Sequence, residues 1–596
     1  MAFLNITAHK ACPTKSVTPT KIWRYLFVGC CFMLSACQTT NNQTITANGK
    51  DVSDAPLSES LSSNYLMARQ AVYQNDLPSA TDFFTNSLVK DDNNIALLRH
   101  SFLTHYQSGN IEQAAEIARR MESLNVTMPL AQEPALIESA LAEDWGGVSA
   151  LADILSQSDT SLVIANVAHA WALFAQGHFA GAISQMSQTA NLLQNELGLT
   201  PAFMELQIAH LLEVAGKTQE ALAKLNSLGL IENYPPHIQL SIASAYHRLG
   251  DKRTAIEILE EYLSPSFDNG AIIASFKDES NQLLQPMTVR RGLAQSLLDT
   301  SWLDTEKSIR SLLLARAQLA LIIQPDFEAA HFVIAQEYLA LNQLSAAKIY
   351  LDNIEEDSSY YLPSQFMLTA YLRRTGEINQ ALDLVRALRS SRPYHDRLTL
   401  VEADILRSVD RCSEAAPLYN ALLDGRFDNS RLHRNLAICL ERTAETKEDE
   451  ALAEQYFLSS LARDPNDAFT LNYLGYWYAD TNRKLDDAIT YIKRAVELRP
   501  SSGFFADSLG WVYYKLENYD DAILWLEKAI QLEPLDPVIT EHLGDVYWVV
   551  GRDFEAIYKW QLARKQATED DMITRLDGKL SEAESQDGRP LETYPY

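Results

Sequence analysis

The sequence predicts an all-α protein, a solenoid of antiparallel helix pairs. The first observation is a fixed period near the C-terminus, where Leu509 and Leu543 are 34 residues apart, as are Pro500 and Pro534. A period of this length is typical of repeat architectures, in which each unit contacts only its neighbours. The second observation is the length of 596 residues, which exceeds what one compact core usually holds.

Small residues recur where the two helices of a pair must approach each other. Gly475, Gly510 and Gly544 occupy one such position, and alanines recur on the partner helix. Pro500 and Pro534 are expected to end the second helix of their pairs, because proline lacks an N–H donor and clashes with the preceding turn. Each pair therefore exposes an apolar face that only the next pair can cover.

These segments resemble the tetratricopeptide repeat. The resemblance implies a right-handed superhelix whose inner face is lined by the first helix of each pair. The residues that carry it are Leu474-Gly475, Tyr478, Ala488 and Ala495, then Leu509-Gly510, Tyr513, Ala522 and Ala529, then Leu543-Gly544, Tyr547, Ala556 and Ala563.

Weaker repeats upstream share a turn residue followed five residues later by alanine. This spacing predicts a turn between the helices of one pair, with the alanine inside the second helix. The pairs of positions are Gly109 with Ala114, Gly177 with Ala182, Gly216 with Ala221, Gly250 with Ala255, Asn342 with Ala347, Gly376 with Ala381 and Asp410 with Ala415.

Charge and motifs exclude several classes of function. The net charge of −28 repels nucleic acid and anionic membrane surfaces. The chain has no HExxH pair, GxSxG elbow, P-loop or GxGxxG sequence, which are the usual signatures of metal, nucleophile and nucleotide sites. No cysteine spacing resembles a zinc site. The sequence thus predicts a non-enzymatic protein without a cofactor or metal.

The N-terminus has the pattern of a bacterial lipoprotein signal. Residues 1–24 are basic without an acidic residue, and the apolar run Tyr25–Leu34 is too short to span a bilayer. Leu34-Ser35-Ala36-Cys37 then resembles a lipobox. This resemblance implies cleavage before Cys37 and its lipidation, and Gln38 after it implies the periplasmic face of the outer membrane. The alternatives are an ordinary signal peptide or a misassigned start in a cytoplasmic protein.

The chain is expected to fall into seven segments. Loss of the repeat rhythm, with proline and glycine in a polar patch, predicts an irregular break in the middle. The predicted segments are a signal peptide at 1–36, a lipidated cysteine with a flexible tether at 37–64, an N-terminal repeat array at 65–263, an irregular break at 264–284, a middle array at 285–425, high-consensus repeats at 426–566 and a polar tail at 567–596.

The inner face of the last repeats is the candidate protein-binding groove. Aromatic side chains there offer a large contact area at low entropic cost, and arginines there could receive a carboxylate. The alternatives are aromatics packed as core and solvated arginines paired with nearby glutamates. The predicted groove residues are Phe469, Asn472, Tyr476, Phe504, Asp507, Trp511, Tyr514, Val538, Glu541, Asp545 and Trp548, with Arg431, Arg434 and Arg442 from the preceding repeat.

Two cysteines lie in the repeat region. Cys412 falls in a turn between helices and Cys439 late in the first helix of the next pair. Adjacent repeats could bring them within bonding distance, and the periplasm is oxidising. They are therefore a candidate disulfide, and the alternative is two separate buried thiols.

Two further segments resemble a narrower group of proteins than the repeat alone does. They are Arg291–Leu297 and the pair Asp507–Trp511 with Glu541–Trp548. Together with the lipobox they resemble the large tetratricopeptide-repeat lipoproteins of proteobacteria, including the adaptors of carboxy-terminal processing proteases. The resemblance implies a scaffold that brings a periplasmic protease to substrates such as cell-wall hydrolases. The alternative is an assembly lipoprotein for a secretin, a pilus or a polysaccharide-export machine.

Overall fold

The computed structural model describes residues 60–587, except 75, 159–160, 197–201, 230, 232–233, 265, 301–309, 424 and 426–427. The described part contains thirty α-helices and no β-strand, so the predicted all-α class is confirmed. Among these helices, none is long and apolar enough to cross a membrane. The predicted signal peptide, Cys37 and residues 38–59 of the tether lie outside the described residues.

Twelve helices form six antiparallel pairs in the N-terminal array. A 3₁₀ turn at Pro129–Gln132 precedes the third pair. The helices are α1 (Leu61–Tyr73), α2 (Leu77–Lys90), α3 (Ile95–Gln107), α4 (Ile111–Ser123), α5 (Glu133–Leu141), α6 (Trp145–Leu155), α7 (Leu162–Ala175), α8 (Phe179–Glu196), α9 (Ala202–Val214), α10 (Thr218–Asn226), α11 (Pro236–Arg248) and α12 (Lys252–Glu261).

The segment predicted as an irregular break is largely ordered. It contains helix α13 (Asn269–Lys277) and a 3₁₀ turn at Gln282–Leu284. The Asp268 side chain caps α13 by accepting the N–H of Ala271 at 3.1 Å, which is the usual role of aspartate at a helix start. Phe276 is fully buried. The polar residues of this segment therefore mark a helix cap, and the prediction of an irregular break was wrong for 269–277.

Eight more pairs and a final single helix follow. They are α14 (Val289–Thr300), α15 (Arg310–Ile323), α16 (Glu328–Ala340), α17 (Leu344–Leu351), α18 (Tyr361–Arg374), α19 (Ile378–Ser391), α20 (Asp396–Ser408), α21 (Cys412–Asn420), α22 (Ser430–Arg442), α23 (Lys447–Arg463), α24 (Ala468–Asp480), α25 (Leu485–Leu498), α26 (Gly503–Lys515), α27 (Tyr519–Leu532), α28 (Pro537–Val549), α29 (Asp553–Gln566) and α30 (Asp570–Asp587).

The predicted turns are confirmed, because every turn residue named from the sequence has a positive φ. Gly250 has φ 93°, and even Asn342 and Asp410 have φ 60°, the left-handed region where glycine, asparagine and aspartate are best tolerated. The alanine that follows each turn is completely buried. These alanines are Ala114, Ala182, Ala221, Ala255, Ala347, Ala381 and Ala415.

The recurring spacing of small residues reflects close contact within each pair. A Cβ atom on Gly510 would lie 2.6 Å from Leu526 Cγ, and one on Gly475 would lie 2.6 Å from Ile492 Cγ1. Such distances are far below the carbon–carbon contact optimum of about 3.5–4 Å. Glycine is therefore required at these positions for the two helices to approach.

The inner face of the N-terminal array is filled by the chain itself. Helix α14 packs on α7 and α9, and α15 packs on α3 and α5, which are first helices of their pairs. Gly292 lies against the buried ring of Trp171, whose Nε1 donates to Ser296 Oγ at 3.0 Å. Gln207 Nε2 donates to Asp299 Oδ2 at 2.9 Å. The first pair of the predicted middle array is thus part of the N-terminal body.

The predicted polar tail differs from the structure over residues 570–587. These residues form α30, which packs on α29. Four of its side chains are buried, namely Met572, Leu576, Leu580 and Ala583. Their spacing of three or four residues places them on one face of a helix. Helix α30 therefore covers the apolar end of the repeat array.

Candidate partner-binding groove

The first helices of the C-terminal pairs form one continuous surface. Helix α24 contacts α26, and α26 contacts α28, whereas the second helices of these pairs approach one another less closely. The first helices therefore line the inner, concave side. Because the repeats are 34 or 35 residues long, Phe469, Phe504 and Val538 occupy equivalent positions on α24, α26 and α28.

Those three residues form an exposed apolar row. Phe469 is 48% exposed, Phe504 54% and Val538 41%. Large exposed apolar side chains that share one surface mark an interaction site more often than scattered single ones do. These predicted groove residues are open to a partner.

The other predicted aromatics are half-buried in the groove wall. Trp511 stacks on His542 with ring centroids 4.1 Å apart and on Tyr514 at 4.9 Å. Trp548 lies 5.3 Å from Trp560. Each of them, like Tyr476, keeps part of its surface exposed. These side chains therefore both pack against neighbours and border the groove.

Asp507 interacts with the buried His542 side chain instead of facing the groove. Its Oδ1 lies 2.8 Å from His542 Nδ1, and both side chains are buried. Burial lowers the pKa of His542, but the adjacent Asp507 carboxylate outweighs it, and the pKa is raised overall from 6.5. The prediction that Asp507 faces a ligand is not supported by this geometry. Asn472, also predicted, has a buried Oδ1 without a hydrogen-bond partner among the described residues.

Glu541 and Asp545 are neutralised by α30. Arg575 forms a bidentate pair with Glu541 at 2.9 and 2.8 Å. Lys579 Nζ lies 2.7 Å from Glu541 Oε1 and 2.6 Å from Asp545 Oδ1. Sequence reasoning missed both cations, although each stands 34 residues after its carboxylate and so continues the repeat period. Beside them a cavity of about 330 Å³ is lined by Tyr514, Asp545, Trp548, Val549, Trp560, Lys579 and Glu582.

The predicted arginines all have acidic partners. Arg431 Nη2 lies 2.6 Å from Asp404 Oδ2, although its side chain is 62% exposed. Arg434 pairs with Asp467, and Arg442 Nη1 lies 2.8 Å from Asp410 Oδ1. The arginines are thus paired locally, as in the alternative, but with aspartates instead of the expected glutamates.

The two cysteines of the repeat region lie side by side. Cys412 begins α21 and Cys439 lies in α22, and their Sγ atoms are 2.7 Å apart. Both are buried and not bonded to each other in this structure, so the disulfide stays a prediction. Burial raises the pKa of the Cys439 thiol. The described residues hold no group of three or more His, Cys, Asp or Glu arranged for a metal ion.

Comparison with known proteins agrees with the repeat geometry. Models of the tetratricopeptide repeat match residues 236–264, 400–468 and 505–536. A TPR repeat-containing protein of Pseudomonas aeruginosa is 30% identical over 191 residues, which are 32% of this chain and 31% of that protein. The match thus spans about a third of the relative's length.

Solved repeat structures also superpose, with low scores. The APC/C hetero-tetramer Cut9–Hcn1 gives a TM-score of 0.36 at 16% identity, covering 88% of this chain and 96% of that one. Yeast Tom70 gives 0.28 at 15% identity with the same coverage. The chain thus contains tetratricopeptide repeats in an all-helical α-solenoid fold. Such repeats indicate a scaffold for protein–protein interaction.

Proposed function

We propose that this protein is a non-enzymatic adaptor, held at the outer membrane by a lipid on Cys37, that presents substrates to a periplasmic protease of the carboxy-terminal processing type. The observation that carries the binding role is the open inner face of α24–α28, with its exposed row of Phe469, Phe504 and Val538. The lipobox at Cys37 and the resemblance to protease adaptors support the finer assignment.

The inner face of the N-terminal array and that of the C-terminal repeats differ in how accessible they are to a partner. Helices α14 and α15 cover the N-terminal face, whereas Phe469 and Phe504 keep about half of their surface exposed. Fully burying such a side chain contributes about 1.5–3 kcal/mol, and aromatics in interfaces are frequent hot spots. A partner that covers both rings would gain enough to offset part of the entropic cost of association.

Photo-crosslinking in living cells tests the assignment. A photoreactive amino acid at Phe504 should capture a serine protease that carries a PDZ domain. The matched control is Leu524, which is also exposed but lies on α27, the second helix of the same pair. Deletion of the gene should let a few envelope proteins accumulate. Equal capture from both positions, or none from Phe504, would count against the groove.

The deletion strain also distinguishes the adaptor from the second hypothesis, an assembly lipoprotein. Loss of a secretin, pilus or polysaccharide-export machine, with unchanged turnover of envelope proteins, would favour that role instead. The anchor is tested independently by palmitate labelling of the wild type and of Cys37→Ser. We expect label only in the wild type, because a thioether-linked glyceride requires the Cys37 sulfur.

A further inference from the structure

Two arginines, Arg434 and Arg499, lie over the exposed Phe469 ring, and Arg431 and Arg407 lie close enough to Arg434 to act on its charge. These four residues are here called the arginine cluster. The guanidinium carbon of Arg499 lies 4.6 Å from the ring centroid, and that of Arg434 lies 5.5 Å from it. Burial lowers the pKa of Arg434, and the like charges of Arg431 and Arg407 add to that effect. The four cations therefore share one region of the inner face.

The first of the two carboxylates in this region is already saturated. Asp404 is buried and accepts hydrogen bonds from Tyr419 OH at 2.7 Å and Asn435 Nδ2 at 3.0 Å. It also accepts from Arg431 Nη2 at 2.6 Å. A guanidinium carries five N–H donors, so Arg431, with its side chain 62% exposed, has donors left for a ligand.

The second carboxylate is likewise occupied from within. Asp467 accepts hydrogen bonds from Arg434, from Ser430 Oγ at 3.0 Å and from Thr470 Oγ1 at 2.7 Å. Burial raises its pKa, but these donors outweigh it and lower the pKa from 3.8 overall. Asp467 is thus a charged structural group that holds Arg434 in place.

The charges of the arginine cluster do not balance. Among the described residues, the carboxylates that form ion pairs with these four arginines are Asp404 and Asp467. Both carboxylates are largely shielded, while Arg431 and Arg499 are exposed. Arg499 forms no ion pair with another described residue. At the far end of the groove, by contrast, Arg575 and Lys579 match Glu541 and Asp545 one for one. The unmatched positive charge therefore lies at one end of the exposed apolar row.

We propose that this end of the groove binds an acidic, aromatic-containing peptide segment of a protein partner, with carboxylates on Arg431 and Arg499 and an apolar side chain against Phe469 and Phe504. This inference rests on the proposed scaffold function. Arginine forms strong charge-assisted hydrogen bonds with carboxylates, and its stacking on Phe469 fixes its plane. A nucleic-acid ligand is disfavoured, because the two exposed arginines suit a few carboxylates, whereas nucleic-acid binding needs cations along many successive phosphates.

The test measures binding of a fluorescein-labelled peptide of alternating glutamate and phenylalanine to the full-length chain in detergent. The comparison probes are the same peptide with glutamine for glutamate and a single-stranded oligonucleotide. The variants are Arg499→Gln and Arg431→Gln. The matched control is Arg494→Gln, on the exposed side of α25, where Arg494 Nη1 pairs with Glu497 at 3.0 Å. Arg499→Gln breaks no internal ion pair and so keeps the test valid if Arg431→Gln fails to fold.

We expect the acidic peptide to bind in a salt-sensitive manner, and each groove variant to weaken it about tenfold while Arg494→Gln leaves it unchanged. Equal binding of the glutamine peptide, or an equal loss in Arg494→Gln, would overturn the acidic specificity. Tighter binding of the oligonucleotide would overturn the choice of a peptide. If crosslinks from Phe504 still capture a protease when the acidic peptide fails to bind, the scaffold function stands and only this inference falls.

Discussion

Replacement of Gly292 by alanine should loosen the N-terminal body. A Cβ atom there would lie 2.2 Å from both Cη2 and Cζ2 of Trp171. The indole cannot move aside easily, since Trp171 is completely buried and its Nε1 donates to Ser296 Oγ at 3.0 Å. The added methyl group must therefore push α14 away from α7 or break that hydrogen bond.

The magnitude follows from three contributions. Overpacking a core typically costs about 1–3 kcal/mol, and loss of the Trp171–Ser296 hydrogen bond adds about 1 kcal/mol. Alanine is favoured over glycine inside a helix by about 1 kcal/mol, which offsets one of these. We expect the free energy of opening of the α7–α14 contact to fall by about 1–3 kcal/mol.

Hydrogen exchange is the suitable assay, because a repeat array opens locally and one global unfolding energy is poorly defined for it. The amides of α7 and α14 in Gly292→Ala should exchange roughly tenfold faster or more. The control is Gly181→Ala in α8, where a Cβ would meet nothing closer than Leu173 Cδ1 at 3.7 Å. If exchange in Gly292→Ala is slower or unchanged, the Trp171 side chain can move aside and the reasoning is refuted.

Three further outcomes are expected. Protein isolated from the periplasm, alkylated without reduction and analysed by mass spectrometry should show Cys412 and Cys439 joined, because their Sγ atoms lie 2.7 Å apart; two labelled thiols would exclude the disulfide. Burial raises the pKa of Asp299 from 3.8 to about 7, so its contribution to stability is full below about pH 4 and is lost as pH rises to about 7. Asp299→Asn should abolish that slope in exchange rates of α14, and an unchanged slope would assign it to another group. Lys579→Met should make α30 amides exchange roughly tenfold faster, since the cation between two shielded carboxylates is lost, whereas exposed Lys565→Met should leave them unchanged.

The C-terminal pairs could be predicted from the sequence because each local feature agrees with the fold. The glycines that allow close approach, the alanines opposite them and the positive-φ turn residues all act within one repeat. Gly510 and Leu526, for example, touch at a separation of 16 residues. When local features and the overall fold agree in this way, the fold can be predicted from the sequence.

The position of α14 could not be predicted in the same way. Its contact partner Trp171 lies 125 residues away from Ser296 in the chain. Whether these two residues meet depends on the accumulated curvature of the three helix pairs α7–α12 and of α13, and no periodicity in the sequence encodes that sum. The sequence did mark Arg291–Leu297 as unusual, and the structure explains it as the strip that touches Trp171.

The ion pairs of the groove show a second limit. The repeat period predicts Glu541 and Asp545 on the inner face, but it does not determine which cations pair with them. Those partners lie in a segment that is polar on average, and its buried apolar face of Met572, Leu576 and Leu580 was not recognised from the sequence. A search for helical spacing beyond the last strong repeat would have found α30.

The contrast between the two inner faces argues for where a partner acts. A ligand on the N-terminal face would have to displace α14 and leave Trp171 and Gln207 without their hydrogen-bond partners on that helix. Each buried polar group left unpaired costs about 1–3 kcal/mol. A ligand over Phe469 and Phe504 displaces only water and gains free energy from apolar burial. A ligand would bind both faces equally well only if its contacts on the N-terminal side first offset this loss. Binding at the C-terminal groove is therefore favoured whatever the partner.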